Sequence, residues 1–366
     1  MMKKNRKRML SVLIGVLGIA CLTFALVVGG VIKKDNDSAA KEQTADLEEI
    51  VVKEVPAEPS MEIQKEPTKT EADSKVQGKE ESEKSDSSNN SCRIVCFGAS
   101  NTEGTGSDGE TYPKILGEIS GHEVLNYGVY AEGASTIAAR QGGNRMHLLE
   151  GITIPADCSP VLIKPVNEDD NPEMLVVFGD AGINPCYIGG VEGRMEFSEE
   201  LEGRCFIRST PGEEVTVDAG EEIEFFAMRD RREDDILIIW SGTNDEPDAN
   251  TIYDVIRQQR KMIDYAENGK YVVIGYVKKE VMEQIDQINV IMEEEYGEHF
   301  LDIRTYLLEN GLKDANMEAT AEDLNAIKEG YLPPSLMADD AGHGKPEFNR
   351  IIAKLVYEKL KSLGYL

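Results

Sequence analysis

RIVCFGASNTEGTG (Arg93–Gly106) carries a short apolar run straight into Gly-Ala-Ser-Asn and then into polar, glycine-rich sequence. Arg93–Phe97 suits a buried strand, and Gly98-Ala99 are small enough for a tight turn that delivers Ser100 to the start of a helix or loop. There its backbone N–H points outward, where it can donate to an anion. Whether Ser100 is a turn serine or a nucleophile depends on what else the chain brings to the same strand end.

Runs of the same texture recur downstream: EVLNYGV (Glu123–Val129), DDILIIWSG (Asp234–Gly242), KYVVIGYV (Lys270–Val277) and FLDIRTYL (Phe300–Leu307) all suit buried strands. Helical patterns separate several of them. Asn250–Ala266 sets Ile252, Val255, Ile256, Ile263 and Ala266 on one face, with Asn268-Gly269 as a stop. Lys345–Leu363 does the same with Phe348, Ile351, Ile352, Leu355 and Leu363, stopped by Gly364. Strands alternating with helices predict an α/β fold, a mostly parallel sheet sandwiched by helices. In such sheets function gathers at the carboxyl ends of the strands. Ser100, Asn126–Gly133 and Gly242–Asp245 all fall there.

Residues 144–233 break this pattern. GITIPA, VLIKPV, EMLVVFG, CYIGGVEG, RMEFSEE, RCFIRST, EEVTVDAG and EEIEFFAM follow one another with Gly, Pro and Asp between them. Short strands at that spacing predict a small antiparallel β domain, inserted between two strands of the α/β sheet. The α/β domain then comprises 92–143 and 234–366.

The remaining N-terminal sequence differs in kind. Residues 1–8 hold Lys3, Lys4, Arg6, Lys7 and Arg8, and Met9–Ile32 then runs without a charge. At ~1.5 Å per helical residue that run crosses a hydrocarbon core of about 30 Å, more than the apolar region of a cleaved signal needs. It reads as an uncleaved transmembrane anchor with a cytoplasmic basic segment, a cleaved signal being the alternative; the positive charges place the rest of the chain outside the membrane. Residues 35–91 are rich in Glu, Lys, Ser and Pro and have no aromatic residue, the composition of a disordered acidic tether. Across 366 residues, 68 acidic against 39 basic residues give a net charge of −29, which argues against nucleic acid as a partner.

No cofactor or metal site is read from the sequence. Of six cysteines, Cys21 lies in the apolar run, and Cys92 and Cys96 are too far apart on an extended segment to bond each other. Cys158, Cys186 and Cys205 allow one disulfide or stay free. NEDDNPE (Asn167–Glu173) lacks the ligand pattern of a calcium loop and reads as a solvated turn. His122 and His147 have no metal-type partners, and Trp240 reads as core.

Two further motifs supply what a serine nucleophile needs. GTND (Gly242–Asp245) ends an apolar strand and offers the side-chain amide of Asn244. DAGH (Asp340–His343) sets a histidine three residues after a carboxylate, just before the last helix. A serine hydroxyl is a weak nucleophile until such a base takes its proton.

In order, GAS, NYGVYAEG, GTND and DAGH resemble the four sequence blocks of the SGNH hydrolases, also called GDSL-type esterases. The resemblance covers most of 92–143 and 234–366 and implies a flavodoxin-like sheet. It implies Ser100 as nucleophile, His343 as general base and acid, and Asp340 as the carboxylate that orients His343. The oxyanion hole would combine the Ser100 N–H, a backbone N–H of the second block and the Asn244 side chain. Two departures stand out: Ala99 occupies the place of an aspartate, and Ala131 that of a glycine. Ala131 is favoured as the backbone donor, with Gly133 as the alternative. Asp245 reads as a structural loop residue.

The function so implied is a membrane-anchored, extracytoplasmic serine esterase. It would remove O-acyl groups, O-acetyl first, from a carbohydrate or other small ester, with the cell wall as a further contact. Acyl transfer to a sugar hydroxyl by the same triad, or an inert scaffold whose β insertion binds glycan, are the alternatives.

Overall fold

The central sheet is built from strands whose side chains alternate between two covered faces, so that runs such as Ile94–Gly98 and Ile236–Trp240 are buried along their whole length. The computed structural model describes residues 92–245, 251–277, 282–338 and 342–366. The basic segment, anchor and tether expected over 1–91, together with Asp340, lie outside the described residues. Among the described residues no helix is long and apolar enough to cross a membrane.

In chain order the described strands begin with β1 (Ile94–Gly98) and β2 (Val124–Gly128). The intervening region adds β3 (His147–Leu148), β4 (Ile152–Ile154), β5 (Val161–Leu162), β6 (Pro165–Val166), β7 (Cys186–Ile188), β8 (Val191–Ser198), β9 (Gly203–Arg208), β10 (Val215–Val217) and β11 (Ile223–Glu224). The chain then returns with β12 (Ile236–Trp240), β13 (Tyr271–Ile274) and β14 (Phe300–Leu301).

The main sheet runs β2-β1-β12-β13-β14 and every pair in it is parallel. Ile94, Cys96, Ile236, Ile238, Trp240, Val272 and Ile274 point to one face and pack against helices Tyr112–Ser120 and Pro346–Ser362. Val95, Phe97, Leu237, Ile239 and Val273 point to the other and meet helices Ala134–Gln141, Ile252–Ala266 and Met282–Tyr296. Both faces are covered, as a parallel sheet requires. Among its own five strands the order is 2-1-3-4-5, the flavodoxin-like winding, whose direction reverses between β1 and β12. The crevice beyond those two strand ends is where such sheets place ligands.

The predicted α/β architecture with an inserted antiparallel unit is the one observed. The intervening region forms a five-stranded antiparallel sheet, β11-β7-β8-β9-β5, beside the pairs β10-β4 and β3-β6. It has its own core, including Leu148, Ile154, Ile188, Phe206 and Phe225.

Three runs expected to be strands behave otherwise. In FLDIRTYL only Phe300–Leu301 joins the sheet. Asp302 accepts from the Thr305 N–H and caps a helix over Ile303–Asp314, so a capping residue inside the run ends the strand. EEIEFFAM keeps the two-residue β11 and then turns into helix Phe226–Asp230. EMLVVFG forms no strand; it is a turn with Val176 in the left-handed region (φ 57°) and Met174, Val177 and Phe178 exposed.

Asn167–Glu173 is not a solvated turn throughout. Glu173 is buried and accepts from Ser135, Thr136, Asn144 and Asn167, which ties the insertion to the first turn of helix Ala134–Gln141. Cys92, Cys96, Cys158, Cys186 and Cys205 are all free thiols.

Candidate active site

Ser100 stands where the sequence placed it, two residues past the end of β1, at the first position of the short helix Ser100–Glu103. The turn is tight because Gly98 has no side chain: a Cβ there would lie 2.1 Å from Thr102 Oγ1 and 2.6 Å from the Trp240 carbonyl oxygen. Ala99 caps the helix without a side-chain hydrogen bond, as its missing carboxylate demands. Ser100 is 8% exposed, recessed below the surface.

His343 approaches from the far end of the chain. Its Nε2 lies 2.8 Å from Ser100 Oγ. The loop that carries it is clamped at its base. Met337 and Gly344 form an antiparallel bridge, the Ala338 N–H donates to the His343 carbonyl (2.8 Å), and the Lys345 N–H donates to the Leu336 carbonyl (2.9 Å). Asp340, within that loop, lies outside the described residues.

The second and third blocks meet beside this pair. The Val129 N–H donates to the Gly98 carbonyl (3.1 Å), which fixes the start of the loop after β2 against the turn that bears Ser100. Ala131 takes a left-handed conformation (φ 59°), the backbone that glycine adopts freely and alanine seldom does. Asn244 Nδ2 donates to the Glu132 carbonyl at 3.0 Å, between the two backbone donors considered for the second block. An amide nitrogen carries two hydrogens, so a second remains for another acceptor. Asp245 Oδ2 accepts from the Ala134 N–H (2.8 Å) and so caps helix Ala134–Gln141. That contact explains Gly133: a Cβ there would lie 2.9 Å from Asp245 Oδ1.

Two residues that sequence reasoning passed over hold this loop. Arg140 is fully buried and donates through Nε to Glu132 Oε2 (2.6 Å), and through its terminal nitrogens to the carbonyls of Tyr127 (3.0 Å), Ala181 (2.7 Å) and Gly98 (3.4 Å). One guanidinium thus joins the end of β1, the end of β2, the second-block loop and the insertion. Glu132 is itself buried, and its Oε1 has no hydrogen-bond partner. Burial pushes the Glu132 carboxyl up, and Arg140 pulls the other way. The available signal was an acidic residue just before a helix of mostly small residues and a basic residue in its last turn. Sequence reasoning also passed over Tyr130, whose ring centroid is 6.4 Å from that of His343.

The remaining candidates are accounted for locally. His122 Nδ1 contacts the Cys92 carbonyl (2.8 Å), and His147 Nε2 contacts Asp170 (3.1 Å). Trp240 is core, between Tyr112 and Phe348. Among the described residues no group of three or more His, Cys, Asp or Glu is arranged to hold a metal ion.

No protein-family model matches the chain, and no curated protein matches it. One solved chain, "Structure of a putative lipolytic protein of G-D-S-L family from Desulfitobacterium hafniense DCB-2", overlays on it with a TM-score of 0.37 at 15% identity, covering 73% of this chain and 99% of that one.

Proposed function

We propose that the chain is a serine ester hydrolase of the SGNH type, acting through an acyl-Ser100 intermediate. The observation that carries this reading is the 2.8 Å approach of His343 Nε2 to Ser100 Oγ across 243 residues of sequence, at the reversal point of a doubly wound sheet. With its hydrogen on Nδ1, His343 accepts the Ser100 proton as the oxygen attacks the ester carbonyl. Asp340 is assigned the orienting role. The developing oxyanion is held by the Ser100 N–H, which opens a helix and so has no acceptor within it, by the Ala131 N–H, and by the second hydrogen of Asn244 Nδ2. Each such donor typically contributes about 10²–10³ in rate. His343 then returns its proton to the departing alcohol, and water releases the acid by the reverse sequence.

Residues 1–34 and the acidic 35–91 support a membrane-tethered enzyme whose catalytic domain faces outward. That location favours O-acyl, first O-acetyl, groups on envelope or neighbouring carbohydrate as substrate. The test is hydrolysis of p-nitrophenyl acetate and butyrate by the full chain beside Ser100→Ala, with a fluorophosphonate probe on both. Turnover and labelling in the wild type, lost together in the variant, support the assignment. Equal background in two folded proteins would refute it.

A further inference from the structure

The run Met174–Phe178 has the composition of a buried strand but lies on the surface. Val176, a β-branched residue, sits in the left-handed region (φ 57°), a conformation such residues avoid and which persists only where the surrounding structure holds it. The turn is docked on the main domain. At Gly179 a Cβ would come 3.1 Å from Val129 Cγ1, so the backbone rests directly on the residue before Tyr130. The result is an apolar lip built on Phe178 (43% exposed) of the insertion and Tyr130 (46% exposed) of the second-block loop, with Met174 and Val177 exposed on the same turn as Phe178. The rings of Phe178 and Tyr130 meet edge to face at 6.1 Å, and Tyr130 in turn lies 6.4 Å from His343. Aromatic groups left open to water beside a recessed nucleophile need a function, since exposed apolar patches of this kind commonly mark recognition surfaces.

We propose that this lip is a specificity wall for the alcohol half of the ester, the part that leaves, and that it selects alcohols presenting a flat apolar face. The inference rests on the hydrolase reading above. The side of the substrate is fixed by the chemistry. The group that protonates the leaving oxygen must be within hydrogen-bonding reach of it, so whatever flanks the His343 ring flanks the alcohol and not the acyl chain. Tyr130 is that flanking group, and Phe178 extends it outward through its edge-to-face contact with the Tyr130 ring. The insertion therefore takes part in substrate selection without supplying a catalytic atom.

The experiment varies one half of the ester at a time in the full chain. Methyl, butyl and benzyl acetate change only the alcohol, while methyl acetate, butyrate and hexanoate change only the acyl group. Wild type should prefer benzyl over methyl acetate in kcat/KM. Phe178→Ala should lower that benzyl-to-methyl ratio about tenfold, mainly through KM, and leave the acyl-length profile in shape. Phe178→Leu, which keeps an apolar side chain without the ring, should recover part of the ratio for butyl acetate and little for benzyl. A ratio unchanged by Phe178→Ala, or a change confined to the acyl series, would overturn the assignment. Failure of the wild type to turn over any ester, with no fluorophosphonate labelling of Ser100, would instead refute the hydrolase reading and the wall with it.

Discussion

The two ends of β1 are each closed by a buried arginine, and the two are answered differently. At the amino end Arg93 donates to both oxygens of Asp235 (2.8 and 2.7 Å), and to the carboxylate and the carbonyl of Asp230. The Asp235 hydrogen bond outweighs the burial that opposes it and raises the Arg93 guanidinium further above its ordinary value. Two acidic side chains against one cation make a closed lock. At the carboxyl end Arg140 has one carboxylate, Glu132, of which one oxygen is unpartnered, and its remaining donors go to three backbone carbonyls, at the end of β1, near the end of β2 and in the insertion. At the amino end the cation is tied to two carboxylates, which serves stability. At the carboxyl end its donors are distributed to hold the loops around Ser100. Substitutions at the two ends should therefore separate activity from stability.

The largest effect belongs to the carboxyl end. Ser100→Ala or His343→Ala should lower kcat/KM by about 10⁴-fold or more, while the urea midpoint stays that of the wild type. A nucleophile variant that kept more than a tenth of wild-type turnover would remove the site from this strand end. Arg93→Ala should do the opposite. It strands Asp235, itself nearly buried, without a counter-ion, and breaking a buried pair from one side costs about 3–5 kcal/mol. Specific activity per folded molecule, measured well below the unfolding transition, should stay within twofold. A fall in kcat equal to that of the site variants would mean that the two ends are mechanically coupled and the contrast is false.

How much of this was legible in the sequence follows the same division. The sheet was readable because each strand is a short apolar run and each loop after it carries polar residues that a fully covered sheet cannot bury. The Ser100–His343 pairing was readable because block order survives even where Ala99 and Ala131 replace the usual residues. What escaped was set by partners distant in sequence. Nothing local to Arg140 tells that Tyr127, Ala181 and Gly98 will offer it carbonyls. Nothing local to Glu173 tells that four side chains will saturate it and make it internal. Met174–Phe178 misled for the converse reason: composition reports burial only when a partner surface exists, and here three apolar side chains face water beside the site.

A smaller effect tests the support behind His343. Asp323 is fully buried and accepts from the N–H and hydroxyl of both Thr320 and Ser335, and Ser335 leads into the clamped loop that carries His343. Burial alone would raise its carboxyl, but the Ser335 N–H, the Thr320 hydroxyl and the other donors together hold it at about 2. A carboxyl depressed below its unfolded value of about 3.9 stabilises the fold above that pH, and the contribution is lost as pH falls through the folded value. Stability should therefore drop by about 2 kcal/mol between pH 5 and pH 2 through this group. Asp323→Asn should abolish that share of the slope, because an amide does not titrate in this range, and should lower stability at neutral pH, because four donors then face a single acceptor oxygen. An unaltered pH profile in Asp323→Asn would show that the network is not the anchor of the loop.

The smallest effect lies at Ala131, and it distinguishes a donor held by geometry from one that needs its side chain. The left-handed backbone costs an alanine roughly 1–2 kcal/mol, which glycine avoids, while glycine adds about 0.4–1 kcal/mol of unfolded-state entropy to be lost on folding. The two nearly cancel, so Ala131→Gly should shift stability by less than about 1 kcal/mol, towards the more stable side. Only the N–H is assigned a role, and Arg140, Asn244 and the Gly98–Val129 hydrogen bond hold the loop on either side of it. kcat should accordingly stay within twofold of wild type. Ala131→Val, with a branched side chain in the same backbone, should lose both stability and kcat, since the loop can accept it only by rotating the donor away. If Ala131→Gly instead lowered kcat tenfold, the methyl group would be restricting the loop, and the orienting force would have to be moved from Arg140 to Ala131 itself.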